Sequence, residues 1–107
     1  MDTRSLHNLV IPGWMVFELH LNYSELRIYA LIYGFSQGGQ GEFYGSLQYL
    51  ADWCGLANAS NVRRVLNSLI NKGLMRKYTD TELTKNGHIK RKIHYQAIVP
   101  ENMWKEI

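Results

Sequence analysis

The sequence has one cysteine and no long apolar run, and both absences narrow the class of protein. A lone Cys54 excludes an internal disulfide, and its place on an apolar helical face predicts a buried small hydrophobe. No run approaches the roughly 20 apolar residues of a membrane span. Residues 1–20 also lack the unbroken apolar stretch of a signal peptide. We therefore expect a cytoplasmic, soluble chain, and its 107 residues suit one domain.

The residue types of catalytic and metal sites are present but are not grouped. The four histidines have no spacing typical of metal ligands; they are His7, His20, His88 and His94. No nucleophile elbow occurs, and Asp80 and Glu82, close to Lys77, are predicted to form a solvated turn. The glycine-rich segment 38–41 lacks the lysine and Ser/Thr of nucleotide loops, which favours a connector. We expect no catalytic residue, metal, cofactor or small-molecule substrate.

Acidic residues are absent from a long internal stretch of the chain. Between Gly55 and Lys77 there is no Asp or Glu. From Ser60 to His94 there are nine Lys and Arg and two acids, so this part carries +7 and the remainder −4. A solvated helix face usually mixes both signs. A segregated basic half therefore favours a polyanionic partner over chance clustering.

Two short helical patterns joined by a tight turn occupy residues 43–75. Ser46 is a suitable N-cap for the first helix, and Gly55 can end it in the left-handed conformation. Asn58 is the next candidate N-cap, and Gly73 closes the second helix. Each helix has one apolar face: Leu47, Leu50, Ala51 and Cys54 in the first, and Val62, Val65, Leu66, Leu69 and Ile70 in the second. The spacing predicts a helix-turn-helix, whose second helix can lie in the DNA major groove.

Shorter patterns surround this pair. The apolar block 14–17 is expected to dock as a turn of helix, with Trp14 either in the core or against a second copy of the chain. Ser24 is the predicted N-cap of a largely buried core helix. Residues 43–44 suggest a very short strand, and an Asn-Gly turn within 84–88 joins two longer ones. In the second of these, Ile89, Ile93, Tyr95 and Ala97 lie on one side, and Lys90, Lys92 and His94 on the other.

This order of elements predicts the α+β class. The expected fold is a winged helix-turn-helix, with a three-helix core, a β-hairpin wing at about 74–99 and a short N-terminal extension. Residues 1–107 would form a single domain. Its first eight residues are expected to be loose, and 100–107 to be a tail or a linker. Trp104 in that tail either caps the core, pairs with another chain or begins a linker.

Four segments carry a resemblance to a known family: IPGWM at 11–15, YSELRIYALIYGFSQ at 23–37, FYGSLQYLADWCG at 43–55 and VRRVLNSLINKGL at 62–74. They resemble the winged-helix domains of bacterial phage, plasmid and integrative-element proteins, including the N-terminal domains of replication initiators. The resemblance covers about two thirds of the chain. It implies DNA binding in replication initiation or in transcriptional control, without separating them. The turn between Gly55 and Val62 is one residue longer than usual, which leaves the start of the second helix open by one residue.

The leading hypothesis is sequence-specific binding of duplex DNA by a recognition helix at about 59–72 and the basic wing. Arg64 and Asn67, one turn apart, suit the edges of guanine and adenine. The residues predicted to contact phosphates are Arg63, Lys85, Lys90, Arg91 and Lys92. Ser46 and Gln48 are predicted to contact the DNA backbone from the first helix. The roles of Ser60 and Asn61 depend on the residue at which the second helix begins. His88 at the wing tip either contacts phosphate when protonated or is solvated.

The alternative is a protein-protein interaction or dimerisation module. Seven Tyr, three Trp and three Phe would supply its binding hot spots. The basic half of the chain favours DNA. Replication initiators usually carry further domains, and small regulators dimerise on symmetric operators. A second copy of the chain or a further replication-protein domain is therefore an expected partner beside DNA.

Overall fold

The computed structural model describes residues 9–36 and 43–101. Its elements are the helices α1 (Gly13–Phe17), α2 (Tyr23–Ser36), α3 (Leu47–Cys54) and α4 (Ala59–Asn71) and the strands β1 (Met75–Leu83) and β2 (Ile89–Ala97). This confirms the α+β class and the winged helix-turn-helix layout. None of the described helices is long and apolar enough to cross a membrane. The predictions for His7, the loose first eight residues, the segment 38–41 and the tail with Trp104 lie outside the described residues.

The two helices of the motif begin at the predicted caps. The Ser46 hydroxyl oxygen accepts a hydrogen bond of 3.1 Å from the backbone N–H of Tyr49. The side-chain oxygen of Asn58 accepts one of 3.1 Å from the backbone N–H of Asn61. Each bond satisfies a first-turn donor that the helix itself leaves unpaired. The longer turn therefore ends at Asn58, and α4 starts at Ala59.

Glycines end both helices, as predicted. Gly55 and Gly73 have φ values of +67° and +76°, the left-handed conformation that a side chain disfavours. After Gly73, the Leu74 N–H donates to the Leu69 carbonyl at 3.0 Å and closes the end of α4. The chain can therefore reverse sharply at both points, from α3 into α4 and from α4 into the wing.

The start of α2 corrects the sequence prediction. The helix begins at Tyr23, so Ser24 lies inside its first turn and is not the cap. Asn22 takes that role, because its side-chain oxygen accepts a 2.9 Å hydrogen bond from the Glu25 N–H. Glu25 in turn accepts a 3.1 Å bond from the Asn22 N–H. This reciprocal capping box satisfies two free donors at once.

The core lies between α2, α3, α4 and the base of the hairpin. Tyr29 at the centre of α2 is fully buried, and its hydroxyl donates to the Ile98 carbonyl at 2.8 Å. Trp14 of α1 packs edge-on against Tyr29 and Tyr33, with ring centroids 6.2 and 5.6 Å apart. Edge-to-face aromatic pairs stabilise a fold by more than the burial of their apolar area alone. These contacts support the core-packing interpretation of Trp14.

The wing is an antiparallel hairpin with a third, very short partner. β1 and β2 pair from Met75 opposite Ala97 to Leu83 opposite Ile89. Their turn is closed by the Thr84 N–H to the His88 carbonyl, at 2.8 Å, which confirms the predicted hairpin. On the free edge of β2, Phe43 exchanges two hydrogen bonds of 2.7 and 3.0 Å with Tyr95. The base of the wing is therefore tied to the start of the helix-turn-helix.

Candidate nucleic-acid interface

One side of α4 is buried and the other is open to solvent. Val62, Leu66 and Leu69 are fully buried against the core. The opposite side forms an open polar groove that contains no acidic residue; its lining is Ser60, Arg63, Arg64, Asn67, Ser68, Asn71 and Lys72. The sequence predicted this face correctly, because helical periodicity alone separates the two sides.

Arg64 lies on the flank of α4 that faces the N-terminus of α2. It borders a shallow groove there with Tyr23 and Leu56. Its Nη2 donates to the side-chain oxygen of Asn61 at 2.6 Å. The rest of the guanidinium keeps donors for another partner, since Arg has five N–H groups. Asn61 therefore orients Arg64, a role that followed only once the helix start was known.

The C-terminal half of α4 is held by a buried carboxylate of α2. Glu25 is only 2% exposed. It accepts a 2.6 Å hydrogen bond from the Ser68 hydroxyl and bonds of 2.8 and 2.9 Å from the Lys72 ammonium. Burial acts to raise the pKa of Glu25, but the Lys72, Ser68 and Asn22 hydrogen bonds outweigh it and lower the pKa. Ser68 and Lys72 therefore fix α4 on α2.

On its other flank, α4 borders a cleft against the wing. The cleft has a volume of about 320 Å³ and brings the predicted residues Ser46, Arg63 and Asn67 together. Across from them lie Lys77 and Tyr95 of the hairpin. Lys77 was missing from the sequence prediction, although its alternation with the buried Met75 along β1 could have indicated this face.

The hairpin register separates the basic residues of the wing into two faces. Lys90 pairs with Glu82 and Lys92 with Asp80 across the strands, so these two lysines share a face with both acids. The predicted turn at Asp80 and Glu82 is therefore wrong, because both lie in β1. Arg91 pairs with Thr81 and falls on the other face, the one that carries Lys77.

The face of the wing that carries Asp80 and Glu82 also holds an aromatic stack. The buried ring of His94 lies between those of Tyr44 and Tyr78, with centroids 4.5 and 5.1 Å away. Its Nε2 lies 2.9 Å from a carboxylate oxygen of Asp80. The Lys92 ammonium sits 4.9 Å from the centre of the Tyr44 ring, a cation–π contact. Many polar groups on this face are therefore already occupied by contacts within this part of the protein.

The remaining predicted residues lie at the margins. Gln48 on α3 is exposed and donates to Asp52 at 2.9 Å, and it does not line the cleft. Lys85 and His88 are exposed in the hairpin turn. Among the described residues, no cluster of His, Cys, Asp or Glu could hold a metal ion.

Known proteins with a similar sequence or fold were found in two of three comparisons. One solved structure, described as the N-terminal domain of a DNA binding protein, has a TM-score of 0.50 and 18% identity to this chain. The match covers 98% of this chain and 87% of that one. At such identity the likeness concerns the fold. No curated protein matches. A family model described as a helix-turn-helix domain matches residues 19–75, more than half of the chain and all of α2, α3 and α4. The chain belongs to this family of helix-turn-helix domains.

Proposed function

We propose that this domain binds duplex DNA, with α4 in the major groove and the wing against the flanking backbone. The observation that carries the proposal is the open face of α4, which presents basic and amide side chains and no acid. A helix of this kind fits the major groove and matches its charge. Membership of a helix-turn-helix family supports the proposal, as does a structural neighbour described as a DNA binding protein.

Base recognition is assigned to Arg64 and Asn67. Both are exposed on the open face, near the middle of α4. Arginine pairs bidentately with guanine and asparagine with adenine, so each can distinguish a base pair. Asn61 holds the Arg64 guanidinium by one hydrogen bond and so limits the directions in which it can point. Ser60, exposed in the first turn, is assigned a contact beside them.

Backbone contacts are assigned to the surrounding residues. Arg63 and Ser46 lie at the cleft, Gln48 on α3, and Lys85 and Arg91 on the wing. Such contacts fix register and orientation but carry no sequence information. Lys90 and Lys92 are assigned weaker contacts, because Glu82 and Asp80 stand opposite them and offset part of their charge.

The family resemblance of the four sequence segments supports a proposal for the biological setting. We propose a role in replication initiation or transcriptional control of a phage, plasmid or other mobile element, in the bacterial cytoplasm. A second copy of the chain or a further replication-protein domain would be the protein partner. Binding rather than catalysis is the proposed activity.

A protein-interaction module is the second candidate, favoured by apolar side chains at the wing tip. Leu83 and Ile89 face each other across the strands and are 74% and 71% exposed. Contiguous exposed apolar surface is a feature of contacts between proteins. Light scattering at micromolar concentration tests this: a mass of twice 12.5 kDa supports self-association, and a monomer mass removes the homodimer.

Salt dependence of duplex binding tests the proposed function. With about five phosphate contacts, log K plotted against log salt should have a slope near −4 to −5, at roughly −0.9 per contact. Fluorescence anisotropy with a labelled duplex between 50 and about 300 mM salt measures it. Binding that is absent, or flat across this range, would contradict a DNA-binding role.

A further inference from the structure

The cleft between α4 and the wing is lined by hydrogen-bond donors. Arg63 and Asn67 of α4 form one wall, Lys77 and Tyr95 of the hairpin form the other, and Ser46 lies at the start of α3. Gly45, Leu47 and Ile93 complete the lining, and none of these eight residues is acidic. A cleft with walls of one charge sign concentrates the electric field and attracts an ion of the opposite sign.

The two cations of the cleft differ from other basic residues nearby. Lys72 is bonded to Glu25, and Arg64 to Asn61. Within the described ranges 9–36 and 43–101, the side chains of Arg63 and Lys77 make no hydrogen bond or ion pair. Both are exposed and border the same space from opposite walls. An anion that enters the space between them would offset their like charges.

Two hydroxyl groups add neutral donors to this space. Ser46 accepts the Tyr49 N–H through its oxygen lone pair, which leaves its O–H free to donate. Burial raises the pKa of Tyr95, although the positive charge of Arg63 acts to lower it. Tyr95 therefore stays protonated at neutral pH and remains a donor. Charged and neutral donors together suit a ligand made of acceptor oxygens.

We propose that this cleft holds one phosphodiester group of the DNA backbone, clamped between Arg63 and Lys77. The inference rests on the proposed function and names a partner group for Lys77. A phosphate held there would sit beside Asn67, which also borders the open face of α4. The clamp would therefore set the register of the recognition helix, as backbone contacts do in other complexes.

A clamp on a single phosphate has a distinctive signature in salt titrations. The slope of log K against log salt counts neutralised phosphates, at roughly −0.9 each. If Arg63 and Lys77 share one phosphate, the double variant Arg63→Ala with Lys77→Ala should lose about one unit of slope. The control is the double variant Lys77→Ala with Arg91→Ala, which removes one cation of the clamp and a separate cation on the same face of the hairpin. It should lose about two units.

Single neutral phosphates in the duplex locate the contact. A methylphosphonate scan of a selected duplex should find one position whose neutralisation weakens the wild type about 3–10-fold. The same substitution should have little effect on Lys77→Ala and on Arg63→Ala. Melting temperatures should stay unchanged, because both side chains are exposed.

Three outcomes would overturn the clamp without touching the proposed function. One is a loss of about two slope units in the Arg63/Lys77 double variant, which would mean two separate phosphates. Another is wild-type DNA affinity in Lys77→Ala. The third is that Lys77→Ala loses binding of free inorganic phosphate, measured at constant ionic strength, but keeps its affinity for DNA. That result would indicate a site for a small anion. Absence of salt-dependent duplex binding by the wild type would contradict both proposals.

Discussion

The two halves of α4 carry similar polar residues but use them in opposite ways. In the N-terminal half, Arg63 and Arg64 are exposed and make no bond to α2. At the C-terminal end, Ser68 and the C-cap residue Lys72 both bond to Glu25 of α2. A lysine on a helix of a DNA-binding fold is therefore not by itself a DNA contact. What lies opposite its charge decides its role.

The anchored half gives the open half its orientation. Glu25 caps α2 through the Asn22 N–H and also holds Ser68 and Lys72, so one carboxylate joins the start of α2 to the end of α4. Side chains read bases only when the element that carries them is fixed within a fraction of an ångström. We infer that Glu25 positions the open half of α4 without contacting DNA.

The largest expected effect comes from removing this anchor. Glu25→Ala leaves the Ser68 hydroxyl and the Lys72 ammonium without their partner and removes the capping box of α2. We expect a loss of about 2–4 kcal/mol in the free energy of unfolding, at the lower side of buried ion pairs because Lys72 remains partly exposed. Urea unfolding followed by circular dichroism measures this.

Glu82→Ala is the matched control. Glu82 is an exposed carboxylate on the wing, and its removal should change the free energy of unfolding by no more than about 0.5 kcal/mol. Equal stability of Glu25→Ala and Glu82→Ala would show that the two halves of α4 do not differ in anchoring.

A smaller effect is expected from protonating the same carboxylate. The pKa of Glu25 is lowered in the folded protein, so its contribution is fully present above the unfolded value near 4.5 and is lost as pH falls through the folded pKa. Urea unfolding between pH 7 and about pH 3 should therefore show a drop below pH 4.5 that is shallower in Glu25→Gln. The same drop in both proteins would place the acid sensitivity elsewhere.

Local sequence signals predicted the helices and strands. They could not predict contacts between residues that are far apart in the sequence. Ser46, Gly55 and Gly73 were identified correctly because caps depend on a few neighbouring residues. The bonds from Glu25 to Ser68 and Lys72 join residues 43 and 47 positions apart, and no local pattern indicates them. Even the start of α2 was misplaced, because Asn22 and Ser24 are both good caps.

The same limit applied to the wing. Strand alternation correctly separated Lys90 and Lys92 from Tyr95. The side that faces α4 is marked by the buried Met75, which shares a face with Lys77, and this signal in β1 was not used. Lys77 was therefore missed, and Lys90 and Lys92 were predicted as full phosphate contacts without regard to the acids opposite them.

We propose that Arg64, in the N-terminal half of α4, reads DNA sequence, while Ser68 and Lys72 at the C-terminal end anchor the helix. Titrations of Arg64→Ala on a selected duplex and on a scrambled one test it most directly, with Asn71→Ala, exposed at the end of α4, as the control. We predict that Arg64→Ala loses about 1–3 kcal/mol on the selected duplex and much less on the scrambled one, with the melting temperature unchanged. Asn71→Ala should lose much less than Arg64→Ala on the selected duplex. Equal losses on both duplexes would show that Arg64 grips the backbone and would contradict the claim.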